Sequence, residues 1–261
     1  MGDISVRNVR KVFGDPAAVS RVLALDGVSL DIPTGQFLCI IGPSGCGKST
    51  LLHTIAGFEN ATSGETLLDQ RRITGPGPDR IVIFQEYGLY PWMTVAENIE
   101  FGLLAKKLGA KRRMEIVRHY VALVKLQGFE DRYPHEISGG MKQRVSIARA
   151  LAPEPEVVLM DEPFAALDSL TRDLLQEEIL RIWGETGQTF VLITHNIEEA
   201  IFLGDRVMAM TSRPGRVKAL IDVDIPRPRD PRMRTHDPRF LAIKEELGGL
   251  LRDEVARAAA A

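Results

Sequence analysis

Apolar positions change texture along the chain. Ile4, Val6 and Val9, then Val22-Leu23-Ala24-Leu25 and Val28-Ser29-Leu30-Asp31-Ile32, alternate partly with polar residues, which predicts half-buried strands separated by loops at Asp15-Pro16 and Pro33-Thr34-Gly35. Phe37-Leu38-Cys39-Ile40-Ile41 is unbroken, as expected of a strand covered on both faces of a sheet. A glycine-rich turn follows it, then the helical spacing of Leu51, Leu52, Ile55 and Ala56. Three more short apolar runs, Val157-Val158-Leu159-Met160, Phe190-Val191-Leu192-Ile193 and Val207-Met208-Ala209-Met210, read as companion strands separated by helical stretches at 169–183 and 196–203. Strand, helix, strand in succession predicts an α/β fold with a parallel sheet and crossover helices.

Between Gln85 and about Ala150 the spacing is mostly helical, carried by Ile99, Leu103, Leu104, Ile116, Val117, Tyr120, Val121 and Val124. This predicts a helical subdomain over about 86–150, inserted in an α/β domain spanning 1–225. Residues 226–239 hold four prolines and five arginines, the composition of an extended linker with solvated arginines, or arginines that meet acidic headgroups. Phe240, Ile243, Leu247, Leu250, Leu251 and Val255 then recur at helical intervals, so 226–261 is expected to end in an amphipathic helix packed on its own domain.

Composition narrows the classes. The 261 residues are 44% hydrophobic and 26% charged, which is globular. A formal charge of −2 gives no electrostatic reason to expect a nucleic-acid partner. Cys39 and Cys46 are too few for a disulfide framework and are not spaced as zinc ligands. Neither a membrane-spanning run nor an N-terminal signal is visible, so the chain reads as cytosolic and would work at a membrane only through a partner.

Gly42-Pro43-Ser44-Gly45-Cys46-Gly47-Lys48-Ser49, followed by Thr50, fits G-x-x-x-x-G-K-[ST] between a buried strand and a helix. Glycines let successive N–H groups converge on a phosphate and the helix terminus adds partial positive charge. Lys48 would reach the outer phosphates of ATP, and Ser49 would offer its hydroxyl to Mg²⁺. Asp161-Glu162 ends an apolar run, which puts carboxylates at the carboxyl edge of a sheet, where nucleotides bind in α/β folds. Asp161 is expected to hold Mg²⁺ and Glu162 to orient or activate the attacking water. Ser138-Gly139-Gly140-Met141 stands before a second amphipathic helix, where a serine cap, bare glycine amides and a helix dipole would make a second phosphate site. Two copies head to tail would place each ATP between the phosphate loop of one and the Ser-Gly-Gly of the other.

Through these motifs the chain resembles the ATP-binding subunit of ABC transporters from about residue 3 to 225, and Ser138 to Met141 match the family's signature. The resemblance implies a P-loop NTPase (RecA-like) α/β core with an N-terminal antiparallel β subdomain and an inserted α-helical subdomain. It also implies roles for four residues that stand ambiguously alone. Gln85 is similar to the glutamine that senses Mg²⁺ and the γ-phosphate; otherwise it is a surface residue. Asp168 is similar to the aspartate that crosses the dimer interface, and His195 to the switch histidine that steadies the γ-phosphate; otherwise His195 simply ends a strand. Phe13 falls where the family stacks an aromatic ring on adenine; otherwise it belongs to the core. Ile137 replaces the usual leucine and Met141 the commonest glutamine, changes expected to spare phosphate contacts.

The segments Gly75–Arg80, Tyr90–Ile99, Ile193–Ala200 and Arg213–Val217 resemble the importer subgroup for nitrate, sulfonates and taurine. The implied protein is an ATP-hydrolysing, energy-coupling homodimer on two permease subunits, peripheral to the cytoplasmic face of the membrane and served indirectly by an extracytoplasmic solute-binding protein. Leu89 to Met93 would then meet the permease, the other reading being that Trp92 packs inside the helical subdomain. The competing classes are a soluble P-loop ATPase or kinase without a membrane partner, and an ABC-type ATPase acting on nucleic acid.

Overall fold

The computed structural model describes residues 2–14, 21–165 and 167–259; the Asp15-Pro16 loop expected from sequence lies outside them. The chain divides into two compact units, Met1–Gly77 with Gln188–Ala261, and Pro78–Gly187. The first unit starts with β1 (Ile4–Phe13), β2 (Val22–Ile32), β3 (Phe37–Ile41), α1 (Lys48–Ala56), β4 (Ser63–Leu68) and β5 (Arg71–Arg72). The second contains β6 (Arg80–Ile83), α2 (Val95–Glu100), α3 (Ala110–Leu123), α4 (Gly139–Leu151), β7 (Val157–Asp161) and α5 (Ser169–Thr186). The chain returns to the first unit with β8 (Thr189–Ile193), α6 (Ile197–Leu203), β9 (Arg206–Met210), β10 (Val217–Asp222), α7 (Met233–His236) and α8 (Pro238–Ala259).

In the first unit β1 pairs antiparallel with β2 (Ile4 opposite Ile32) and with β4 (Ile4 opposite Leu68), and β5 extends β4. Separately, β3 runs parallel to β8 (Phe37 opposite Phe190) and to β9 (Cys39 opposite Val207), with β10 antiparallel at the edge. Every residue of β3 and β8 is buried, as an apolar strand covered on both faces requires. In the second unit β6 and β7 pair in parallel, Ile83 opposite Met160.

Helix starts follow their caps. Thr94 and Glu97 form a reciprocal capping box on α2; Ser138, Asp168 and Asn196 accept first-turn N–H groups on α4, α5 and α6. Gly57 and Gly187 end α1 and α5 in the left-handed conformation that glycine tolerates.

Three expectations change. Leu104, counted on an apolar helical face, is exposed in a 3-10 segment, Phe101–Lys106, whose tighter winding rotates it away from the face that buries Leu103. Val255 is likewise exposed, while Phe240 and Leu247 are the apolar positions α8 buries in its own unit. The stretch 226–239 is not a solvated linker throughout. It contains α7 and the start of α8, and Arg229 is 7% exposed, because its guanidinium meets a set of backbone carbonyls that need donors.

Candidate active site

The first unit holds the phosphate loop. β3 ends at Ile41, and Gly42 to Gly47 turn the chain into α1, with Gly47 at the N-cap in the left-handed region (φ 103°). Gly47 brings no capping side chain and the first turn has no acidic residue, so neither a side-chain acceptor nor a carboxylate competes for the first-turn amides. Lys48 folds back over the loop, Nζ donating to the Gly42 carbonyl at 2.9 Å and the Pro43 carbonyl at 3.0 Å, with the side chain 7% exposed. Ser44, Gly45 and Ser49 are exposed and Thr50 half-buried, whereas Cys46 is 1% exposed, burial pushing its thiol pKa up. An exposed glycine-rich loop at a helix N-terminus, a lysine folded back over it and a hydroxyl at the helix start have the chemistry of a receptor for an anionic group.

The same unit places His195 just beyond β8, exposed, with Asn196 capping α6 through the Glu199 N–H at 3.2 Å. Phe13, at the end of β1, is 37% exposed, with the Lys11 ammonium 4.8 Å from its ring centroid. It is therefore a surface ring and not part of the core.

Sequence reasoning passed over a further contributor to this loop. Gly215 donates to the Ala24 carbonyl at 2.8 Å, and its own carbonyl accepts from Asp26 at 3.0 Å. A Cβ on it would come 2.2 Å from the Cys46 carbonyl oxygen. The Pro214-Gly215 dipeptide was visible as a turn signal, but its approach to the phosphate loop depends on pairings far apart in sequence.

In the second unit, Asp161 ends β7 and Glu162 follows in the left-handed region (φ 48°), both half-buried. Asp168 is exposed and accepts the Thr171 N–H at 3.0 Å, a bond that lowers its carboxyl pKa. Thr171 in turn abuts the signature helix, since a Cβ on Gly140 would lie 2.6 Å from its methyl. Ser138 accepts the Met141 N–H at 3.4 Å and is exposed with Gly139.

Gln85, exposed beyond β6, opens a loop tied to the same helix, because Arg149 of α4 donates to the Gly88 and Tyr87 carbonyls at 2.8 and 3.1 Å. The second unit thus gathers Gln85, Ser138 to Gly140 and Asp168 around α4 and the start of α5. Trp92 is 69% exposed, so it is not packed inside this unit.

A family model described as "ABC transporter" matches residues 25–165. The chain belongs to the ABC transporter family. It is 48% identical to an ABC transporter ATP-binding protein of Methanocaldococcus jannaschii over 97% of this chain and 93% of that protein. It is 45% identical to the nitrate import ATP-binding protein of a Synechocystis strain, over 88% of this chain and 89% of that one. Among solved structures, a dimeric ATP-binding cassette in a post-hydrolysis state bound to ADP and phosphate superposes with a TM-score of 0.74 at 31% identity, covering 84% of this chain and 98% of that one. The fold is accordingly that of an ABC ATPase, with the P-loop NTPase core expected from sequence, and the family activity is ATP hydrolysis coupled to transport. No helix among the described residues is long and apolar enough to cross a membrane.

Proposed function

We propose that the chain is the energy-coupling ATPase of an importer for a small anionic solute such as nitrate, a sulfonate or taurine. The observation that supports the ATPase reading best is the buried Lys48 folded back onto the Gly42 and Pro43 carbonyls of the loop that enters α1. The nitrate importer relative, similar over nearly its whole length, supports the solute class. On this reading two copies clasp ATP head to tail, each lending its phosphate loop, Gly42 to Thr50, to the Ser138-Gly139-Gly140-Met141 of the other, with Asp168 near the seam. They sit on two permease subunits at the cytoplasmic face of the membrane, with a solute-binding protein acting on the far side. The ATPase domain would span 1–225, with the helical subdomain at about 86–150 and a C-terminal extension over 226–261.

The residues take defined roles. Lys48 holds the outer phosphates, Glu162 orients water against the γ-phosphate, His195 steadies that phosphate, and Gln85 reports on its presence. Phe13 offers an exposed ring to adenine. The hydroxyl of Ser49 in the first unit, and the carboxylate of Asp161 and amide oxygen of Gln85 in the second, are hard oxygen donors of the kind Mg²⁺ takes. When bound, Mg²⁺ supplies charge neutralisation between the outer phosphates. The exposed Trp92, with Tyr90 and Phe101 beside it, is the surface offered to the permease.

The test is phosphate release by the chain assembled with its permease in lipid vesicles. Nitrate or taurine, presented with the binding protein, is expected to accelerate hydrolysis. Hydrolysis indifferent to every such anion would overturn the solute class.

A further inference from the structure

The last segment of the chain, which the resemblance to the family core leaves out, reaches two elements of the first unit's ATP-facing surface. Arg229 donates to the carbonyls of Ile201, Phe202 and Gly204 at 2.7, 3.1 and 2.7 Å, and to those of Ile225 and Val223 at 3.2 and 3.3 Å. The first three belong to the C-terminal end of α6, whose carbonyls lack partners within the helix and whose dipole favours a cation. Burial, with Arg227 alongside, brings the guanidinium pKa down to about 10, so it stays charged at neutral pH. Arg234 adds its guanidinium 4.6 Å from the Phe202 ring centroid. At the opposite end of α6, Lys244 of α8 bonds Glu198 at 2.5 Å. The first residue before this helix's cap, Asn196, is His195.

The second contact is made by Glu254 on α8, whose side chain is 2% exposed. It accepts from the Ser212 N–H at 2.8 Å, the Ser212 hydroxyl at 3.1 Å and the Lys218 ammonium at 2.8 Å. Ser212 lies in the loop between β9 and β10 that carries Gly215 against Cys46 of the phosphate loop. The bonds from Arg229 to the end of α6 help to fold in place a Pro- and Arg-rich stretch that composition alone would leave solvated.

We propose that the C-terminal segment is a brace on the ATP-facing elements, with Arg229 the positioning residue for His195 and Glu254 the positioning residue for the phosphate loop. The proposal rests on the roles given to His195 and Lys48 above. Neither Arg229 nor Glu254 needs to touch nucleotide. A shift of about 1 Å in a positioned group is enough to cost a large factor in rate.

The experiment measures ATP affinity, kcat and thermal melting for the full chain and its variants. Arg229→Lys keeps the charge but loses the fork that spans several carbonyls. It is expected to lower kcat about tenfold with ATP affinity unchanged, and to cause no further loss in a His195→Ala background, since both act through one group. Glu254→Gln is expected to weaken ATP affinity about fivefold with kcat at saturation unchanged. Wild-type kcat in Arg229→Lys, or the same fractional loss with and without His195, overturns the Arg229 arm. A His195→Ala protein that hydrolyses ATP at the wild-type rate instead overturns the role of His195 itself. Should Arg229→Lys fail to fold, the nearly isosteric Glu254→Gln decides alone, and unaltered ATP affinity in it overturns the brace.

Discussion

Gly215 and Cys46 meet backbone to backbone: the carbonyl oxygen of Cys46 occupies the space, 2.2 Å away, where any side chain at 215 would begin. The loop after β9 is therefore a wall of the phosphate loop. Gly215→Ala is expected to destabilise the fold by about 1–3 kcal/mol, the usual cost of overpacking, and to weaken ATP binding with it. Chemical denaturation beside a nucleotide titration checks both, and an unchanged affinity would contradict the contact.

Lys48 donates to two carbonyls of the loop, and in the proposed function its ammonium meets the outer phosphates of ATP. Lys48→Ala is expected to weaken ATP affinity by roughly 10–100-fold, the worth of a charge-assisted bond of about 1.5–3 kcal/mol. Calorimetry giving wild-type affinity would contradict the assignment.

Cys46 lies inside the same loop but is buried, and burial raises its thiol pKa. Alkylation at neutral pH is expected to be slow in the folded chain and fast after denaturation, because only the thiolate reacts. Mass spectrometry after timed labelling reads this, and rapid modification of the native protein would contradict it.

Glu254 carries a pH dependence. Hydrogen bonding from Lys218 and from Ser212 brings its carboxyl pKa from the ordinary 4.5 to about 2. The folded state then holds this proton less readily than the unfolded state. The stabilisation is complete above about 4.5 and is lost as pH falls toward about 2. Thermal melting of Glu254→Gln is expected to show a shallower acid slope than the wild type over that window, and parallel curves would contradict it.

The sequence was most legible where chemistry and burial coincide. Phe37–Ile41 reads as a doubly covered strand because every position is apolar, and the glycines and Lys48 after it mark the turn into α1. Ser138 was legible as a cap before an amphipathic helix, and its side chain accepts the backbone N–H three residues on; the like cap made by Asp168 on α5 came only with the structure. The two-residue strand Arg71–Arg72 and the edge strand Val217–Asp222 were not legible, since neither has a fully buried residue to impose a pattern. Arg229 misled for a related reason. Composition places arginine in solvent, and only the carbonyls of α6 and of Val223 and Ile225, brought to it by the fold, make its burial favourable.

The central claim is that ATP is clasped between two copies of the chain. It is tested most directly with Glu162→Gln, in which loss of the water-orienting carboxylate is expected to cut turnover by about 10²–10⁴-fold while binding persists. Sedimentation velocity of this variant is expected to give a monomer without nucleotide and a dimer at saturating ATP and Mg²⁺. A monomer at saturation would contradict the shared site.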